Sequence, residues 1–189
     1  MLPRSRSGRW VAAVLATTLC ATVAGCGFDD VEERASAAAA ENLPVLVADT
    51  VDCVTHHAPE LLADASTPSL AEELSDCADT QILNQDVSQA LSNGESPFTH
   101  WSVAVRGALM GDELELALLT QASGVAEAGI SEARAFLATC WKIVLDTGSG
   151  QLKDVSSAPC DEEVVALLHD TELVPFEDLD LGQRGAATT

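Results

Sequence analysis

Positive charge is scarce: nine Lys and Arg stand against 30 Asp and Glu in 189 residues. Binding a nucleic acid requires a basic footprint to displace the counterions of phosphate, so a nucleic-acid partner is excluded as an expectation. Anionic lipid headgroups would repel the same body. Also missing is any apolar run of the ~18 residues that make a spanning helix. The apolar stretch VAAVLATTLCATVA stops at Ala24. C-x-x-C pairs and the Cys/His spacings of zinc sites do not occur, nor do a G-x-S-x-G elbow, a Walker loop or a Rossmann fingerprint. There is no calcium loop, and Asp178 and Asp180 in EDLDL are too sparse to form one. The expectation is therefore no metal and no cofactor. No internal repeat is visible.

What is present begins with the leader. MLPRSRSGRW carries Arg4, Arg6 and Arg9 and no acid, and it runs into the apolar segment Val11 to Ala24. A charged start followed by a short apolar stretch is the pattern of an export signal. The next residues, Val23, Ala24, Gly25 and Cys26, resemble the lipobox of bacterial lipoproteins, in which small residues precede a Cys that becomes the acylated first residue. The resemblance covers the first 26 residues. It implies a diacylglyceryl (palmitate-type) thioether on Cys26, with two acyl chains giving stable anchoring where one would be marginal. The implied partner is a lipid bilayer, on the extracytoplasmic face of the cell membrane.

Cleavage before Cys26 leaves residues 26–189, enough for one domain with a sizeable core. Six Lys and Arg remain against all 30 acids, a formal charge of −24. Such a surface is solvated and self-repelling. Cys20 leaves with the leader and Cys26 is taken by lipid, so Cys53, Cys77, Cys140 and Cys160 remain. An even number outside the reducing cytoplasm predicts two disulfides.

Along the chain, residues 26–41 are polar, acidic and Ala-rich and read as a tether, helical near its end. Asn42 and Pro44 supply start signals for a helix with Leu43, Val47, Val51, Val54, Ala58 and Leu61 at helical spacing, and Pro59 kinks or ends it. A second helix follows Thr67 and Pro68, with Leu70, Leu74, Leu83, Val87 and Leu91 on its stripe and Gly94 at its close. An antiparallel hairpin of the two, turning near Ala65, sets Cys53 and Cys77 at equal distance from the turn and pairs them.

From Phe98 the period changes to two. Trp101, Val103 and Val105 alternate with polar residues, as do Leu114, Leu116 and Leu118, and a turn at Met110-Gly111 sets Val105 opposite Leu116 and Arg106 opposite Glu115. Residues 121–134 read as a connection. A third strand from about Ala135 to Asp146 is apolar on both faces and so central, and a weaker fourth spans about Gln151 to Ser157. Cys140 and Cys160 then flank one turn, with a bend at Pro159. A short helix over Asp161 to Asp170 follows, and the chain frays after Phe176. The expected fold is α+β: a helical hairpin on a four-stranded antiparallel meander, with a short C-terminal helix. The expected divisions are 1–25 leader, 26–41 lipidated tether, 42–176 domain and 177–189 flexible tail.

KIVLDTGSGQ, residues 142 to 151, resembles the active-site loop of pepsin-like aspartic proteases, which implies a catalytic Asp146. Those enzymes need two such aspartates sharing a proton across a dyad, and this chain has one DTG. D-T-G-S-G between two strand-like segments also satisfies turn chemistry, with Gly148 and Gly150 free to take positive φ. The reading adopted is a hairpin tip. His56 and His57 are adjacent on a helix and cannot both face one ion, and His100 and His169 are isolated. The expectation is a membrane-anchored, extracytoplasmic lipoprotein of non-catalytic accessory, interaction or small-ligand-binding type. A hydrolase using Asp146 is the alternative. Any ligand space is sought between helices and sheet, near Trp101 and Trp141.

Overall fold

The computed structural model describes residues 28–64, 66–84, 102–168 and 170–181. The proposed leader, Cys26, His100, Trp101, His169 and the helical stripe beyond Asn84 lie outside them.

A single helix dominates the N-terminal half. α1, Phe28–His56, has Val31, Ala35, Ala39, Leu43, Val47, Val51 and Val54 along one buried face. The four-residue step drifts around the helix by about 40° each time, so the buried line follows the twist of a sheet beneath it. Residues read as a tether are thus its first turns, and the helix starts fourteen residues before Asn42. Asn42 is no cap; its Nδ2 donates to the Ser123 carbonyl at 3.0 Å and ties α1 to the sheet. Pro44 sits inside the helix. An interior Pro costs about 3 kcal/mol, which burial of a continuous apolar face can offset.

The expected helical hairpin does not form. α1 breaks at His57 and the chain continues in short pieces: α2, Ala58–Ala63, α3, Thr67–Glu73, and α4, Gln81–Asn84. Pro59 and Pro68 each lie in the first turn of a piece, where a missing N–H is harmless. After α3 the backbone turns and Asp79 pairs with the start of the sheet, its N–H donating to the Ser102 carbonyl (2.7 Å) and its carbonyl accepting from the Ala104 N–H (2.8 Å).

The sheet has five strands and is mixed, where four antiparallel strands were expected. β1, Ser102–Met110, β2, Glu113–Ala128, β3, Ser131–Asp146, and β4, Leu152–Ser157, are antiparallel neighbours in that order. Beyond β4 come α5, Glu162–Val165, then β5, Thr171–Leu173, which pairs parallel with Phe136 to Ala138 of β3. β3 is central, as its two apolar faces require: β2 covers one edge, and β4 and β5 share the other end to end. A 3-10 turn, Phe176–Asp178, ends the described fold, and Leu179 and Leu181 still pack on the core.

Residues 121–134 are not a connection. β2 and β3 pair over all sixteen residues, from Glu113↔Asp146 to Ala128↔Ser131, around a two-residue turn at Gly129-Ile130. Small residues concealed this strand because its inner face carries a helix at unusually short range. A Cβ placed on Gly124 would lie 2.0 Å from the Ala35 carbonyl oxygen and 2.4 Å from the Ala39 nitrogen. The first hairpin also differs from expectation. Its turn is Gly111-Asp112, and an irregularity at Val105 shifts the register so that Ala104 faces Leu118 and Arg106 faces Ala117. Arg106 and Glu115 remain in reach, 3.6 Å apart, as diagonal neighbours.

Two cores result. α1, α2 and α3 enclose Leu114, Leu116, Leu118, Trp141, Ile143 and Leu145 on the inner face. On the outer face Val103, Leu119 and Cys140 pack with Val164 and Leu167, which follow the last turn of the chain back across the sheet. The helix there is shorter than expected, one turn capped by Asp161, whose Oδ1 accepts from the N–H groups of Glu163 and Val164.

Both expected disulfides form. Cys53 and Cys77 have Cα atoms 5.6 Å apart, and Cys140 and Cys160 5.3 Å. The first pairing was reached through a helical hairpin that does not exist; Cys77 lies in the turn after α3. The second needs the bend expected near Pro159, because Ala158 still pairs with the Cys140 carbonyl (3.2 Å) before the chain leaves β3. Each bridge closes a loop for which the chain-entropy treatment gives about 3 kcal/mol.

Gly124→Ala should lower unfolding free energy by about 3 kcal/mol or more, since the added carbon meets backbone that cannot step aside. Gly111→Ala, at φ +70° with open space around it, should cost only about 1 kcal/mol. Denaturant midpoints of the two variants, compared with the wild type, check the order.

Candidate functional site

A concavity among the described residues lies where α1 passes the turn after α3. A cleft of about 370 Å³ opens there, with Asp49, Thr50 and Cys53 of α1 on one wall, Ser75, Asp76 and Cys77 on the other, and Ser102 at its back. This volume is at the lower end of small-molecule sites. Asp49, Ser75 and Asp76 are exposed at its mouth, while Thr50 and Ser102 are buried behind them. Sequence reasoning placed the space between helices and sheet near Trp101 and Trp141; Trp101 lies outside the described residues, and the space at Trp141 is filled. Trp141 is wholly buried and its ring stacks on Phe176 with centroids 6.0 Å apart.

Trp141 is nevertheless joined to the cleft by a file of hydroxyl groups. Its Nε1–H donates to Thr120 Oγ1 at 2.9 Å, Thr120 and Ser102 hydroxyls are 2.9 Å apart, Ser102 and Thr50 hydroxyls 2.8 Å, and Thr50 Oγ1 donates to the Leu46 carbonyl at 2.8 Å. Each hydroxyl has one proton. With both ends set, Thr120 must donate to Ser102 and Ser102 to Thr50. The file therefore satisfies a buried indole and three buried hydroxyls with one direction of donation, and it rigidifies the rear wall of the cleft. Asp79 is buried next to Ala78 of the wall. Its Oδ1 accepts from the Gln81 N–H (2.9 Å), and its Oδ2 has no partner among the described residues.

The disulfide in the wall has one companion that sequence reasoning passed over. Cys53 and His57 are four residues apart on α1 and its end, and the fold brings Cys77 to them, so that one ligand atom from each lies within 4.8 Å of the others. The i, i+4 spacing was visible and put His57, not His56, beside the sulfur. His56 is exposed and meets the His57 ring edge-on at 5.4 Å. With both sulfurs in a disulfide, His57 is the one member of this trio free to act as a ligand.

Asp146 stands at the end of β3, far along the sheet from the cleft. Its Oδ1 accepts from the Ser149 hydroxyl (2.8 Å), the Ser149 N–H (2.8 Å) and the Gly148 N–H (3.1 Å), and its Oδ2 is 3.1 Å from Lys153 Nζ. These contacts close the TGSG turn, with Gly150 at φ +69°. The Ser149 hydroxyl, then Lys153, then the Ser149 N–H favour the charged form and hold the carboxyl at a pKa of about 2. Lys153 is raised in return, chiefly by Asp146 and Glu113. An aspartate so occupied is ionised at neutral pH, and among the described residues no second carboxylate shares a proton with it.

The remaining cations are equally committed. Lys142 meets Glu115 at 2.9 Å, which raises its pKa, Arg134 meets Glu132 at 2.7 Å, and Arg34 is 3.7 Å from Asp30. Every Lys and Arg among the described residues thus has an acidic partner. No group of positive charge is left there to hold an anion.

Two outcomes test this description. The folded state depresses the Asp146 pKa, so its contribution to stability is complete above the ordinary carboxylate range and disappears as pH falls through about 2. Asp146→Asn should therefore lower the urea midpoint at neutral pH and converge with the wild type near pH 2. Separately, Cys53 and Cys77 are half-exposed in the cleft wall, whereas Cys140 is buried among Val103, Leu119 and Val164. Mild reduction followed by alkylation and mass mapping should label positions 53 and 77 before 140 and 160.

Comparison with protein families, curated proteins and solved structures found no match for the chain, so the reading of its function rests on the residues and geometry above.

Proposed function

We propose that this is a lipoprotein held on the extracytoplasmic face of the cell membrane by acylated Cys26, with a folded body that serves as a non-catalytic binding or accessory module. The observation that carries the reading is the division of the cysteines. Four of them meet in two pairs at bonding geometry within the folded body. Cys26 follows Val23, Ala24 and Gly25 behind a basic, apolar leader. Paired thiols belong to an oxidising compartment, and a leader of this form delivers a chain to one.

Binding is the better reading of the body because the cleft beside α1 offers hydroxyls, carboxylates and a disulfide on a rigid wall. Asp49 and Asp76 give the mouth negative character, which fits a small polar ligand that is neutral or cationic, or a partner segment of that kind. A hydrolase built on Asp146 is disfavoured by the turn contacts that occupy that carboxylate.

The anchor is tested by the intact mass of protein taken from the membrane fraction of a host that processes lipoproteins. The mass should correspond to a chain starting at residue 26 plus a diacylglyceryl group, and Cys26→Ser should release the protein from membranes. An unmodified full-length mass, or membrane association unchanged by that substitution, would sink the reading.

A further inference from the structure

The two long hairpin tips of the sheet share a backbone plan and differ in the second residue of the turn. Each is a two-residue turn with glycine first at positive φ, Gly111 at 70° and Gly129 at 64°. The second residue is Asp112 in one and Ile130 in the other. A polar residue there is ordinary turn chemistry, and a β-branched apolar one is not. Ile130 is exposed to 106 %, the largest value among the exposed apolar residues.

α1 runs antiparallel to β2, which fixes where each tip lies. Thr50 sits over Ser102 and Thr120, Asn42 donates to Ser123, and Arg34 Nη2 donates to the Glu127 carbonyl at 3.4 Å. From Arg34 back to Phe28 the helix rises about 9 Å. From Glu127 to Ile130 the strand and turn advance about the same distance. Ile130 is therefore level with the first turn of α1. The chain from Phe28 to Cys26 spans at most about 7 Å.

From this we infer that Ile130 is a second, shallow membrane contact, which with the lipid on Cys26 sets the body upright on the bilayer. The inference rests on the anchoring proposed above. The acyl chains supply the affinity, and the hairpin tip, held close to the surface by them, supplies orientation. The exposed carboxylates of Glu127 and Glu132, within three residues of Ile130 in the chain, and of Glu32 and Glu33 in the first turns of α1, keep the tip in the outer layer of the membrane. The Gly111-Asp112 tip points the other way, some 50 Å along β2. The cleft at Cys53, twenty-five helical residues beyond Phe28, is carried about 38 Å from the lipid surface.

The experiment uses the full, acylated protein in phosphatidylcholine vesicles with brominated acyl chains. Ile130→Trp is compared with Met110→Trp, an exposed apolar position at the opposite tip, each as a difference from the wild type. Emission from position 130 should shift to the blue and be quenched, and emission from position 110 should do neither. Absence of quenching at 130, or equal quenching at both positions, in protein whose mass carries the diacylglyceryl group would overturn the contact and leave the anchor standing. A mass lacking that group would overturn both. Ile130 is fully exposed and Met110 more than half so, and a larger ring can point into solvent at either position, so both variants should fold as the wild type does.

Discussion

The approach of α1 to β2 at Gly124 is the constraint on which the rest of this structure depends. A helix rests on a sheet at a distance set by the side chains between them, and here Ala35 and Ala39 on one side and Gly124 on the other leave almost none. That short distance lets a helix of 29 residues lie along β2 and β3 for most of their length, burying Val31 at one end and Val54 at the other. It also explains why the sheet can be so long. Sixteen-residue strands with an uncovered apolar face would be an aggregation hazard, and α1 is the cover. Where α1 ends, α2 and α3 take over, and the Cys53–Cys77 bridge ties the two parts of the lid together.

Polar groups within this interface are few, and most are organised; the buried Thr139 hydroxyl, opposite Thr120, has no partner among the described residues. The file from Trp141 through Thr120 and Ser102 to Thr50 crosses from sheet to helix where the packing gives way to the cleft. An unpaired indole N–H at that depth would carry a penalty of roughly 1–3 kcal/mol, and the file removes it without admitting a charge. The same arrangement gives the cleft a rear wall that does not adjust. In the binding role proposed above, a fixed hydroxyl wall, a disulfide edge and carboxylates at the mouth would select by shape and hydrogen bonding, with the long-range field of an acidic protein adding preference for cations.

Charge is handled differently at the sheet's surface. Acids outnumber bases so heavily that each Lys and Arg among the described residues is drawn into a pair or a cluster, Lys153 reaching Asp112, Glu113 and Asp146 together. Surface pairs of this kind are weak individually. Their arrangement at the Asp146 end stitches the β2 start, the β3 end and the β4 start into one hairpin corner. The DTGS sequence is accounted for by that corner: the aspartate that resembles a catalytic residue accepts from a serine hydroxyl and two backbone N–H groups so that the chain can reverse.

Sequence alone was enough for the α+β class, the central position of β3, the hairpin tip at Asp146 and the presence of two disulfides, because each follows from local pattern: period-two alternation, apolar residues on both faces, glycine shortly after aspartate, and thiol count; the Cys53–Cys77 pairing came out right on a hairpin that the fold does not contain. Sequence reasoning missed the extent of α1, the strand in residues 121–134, the register at Val105 and the fifth strand. Alanine and glycine announce neither helix nor strand when what matters is how little space they take, and that is decided only by the partner surface. β5 is three residues long and pairs with a segment thirty-five residues earlier, so nothing in its own neighbourhood specifies it. The cleft belongs to the same category. Thr50, Cys53, Asp76 and Ser102 are ordinary residues in sequence, and they form a site because a helix, a turn and a strand end converge on them in space.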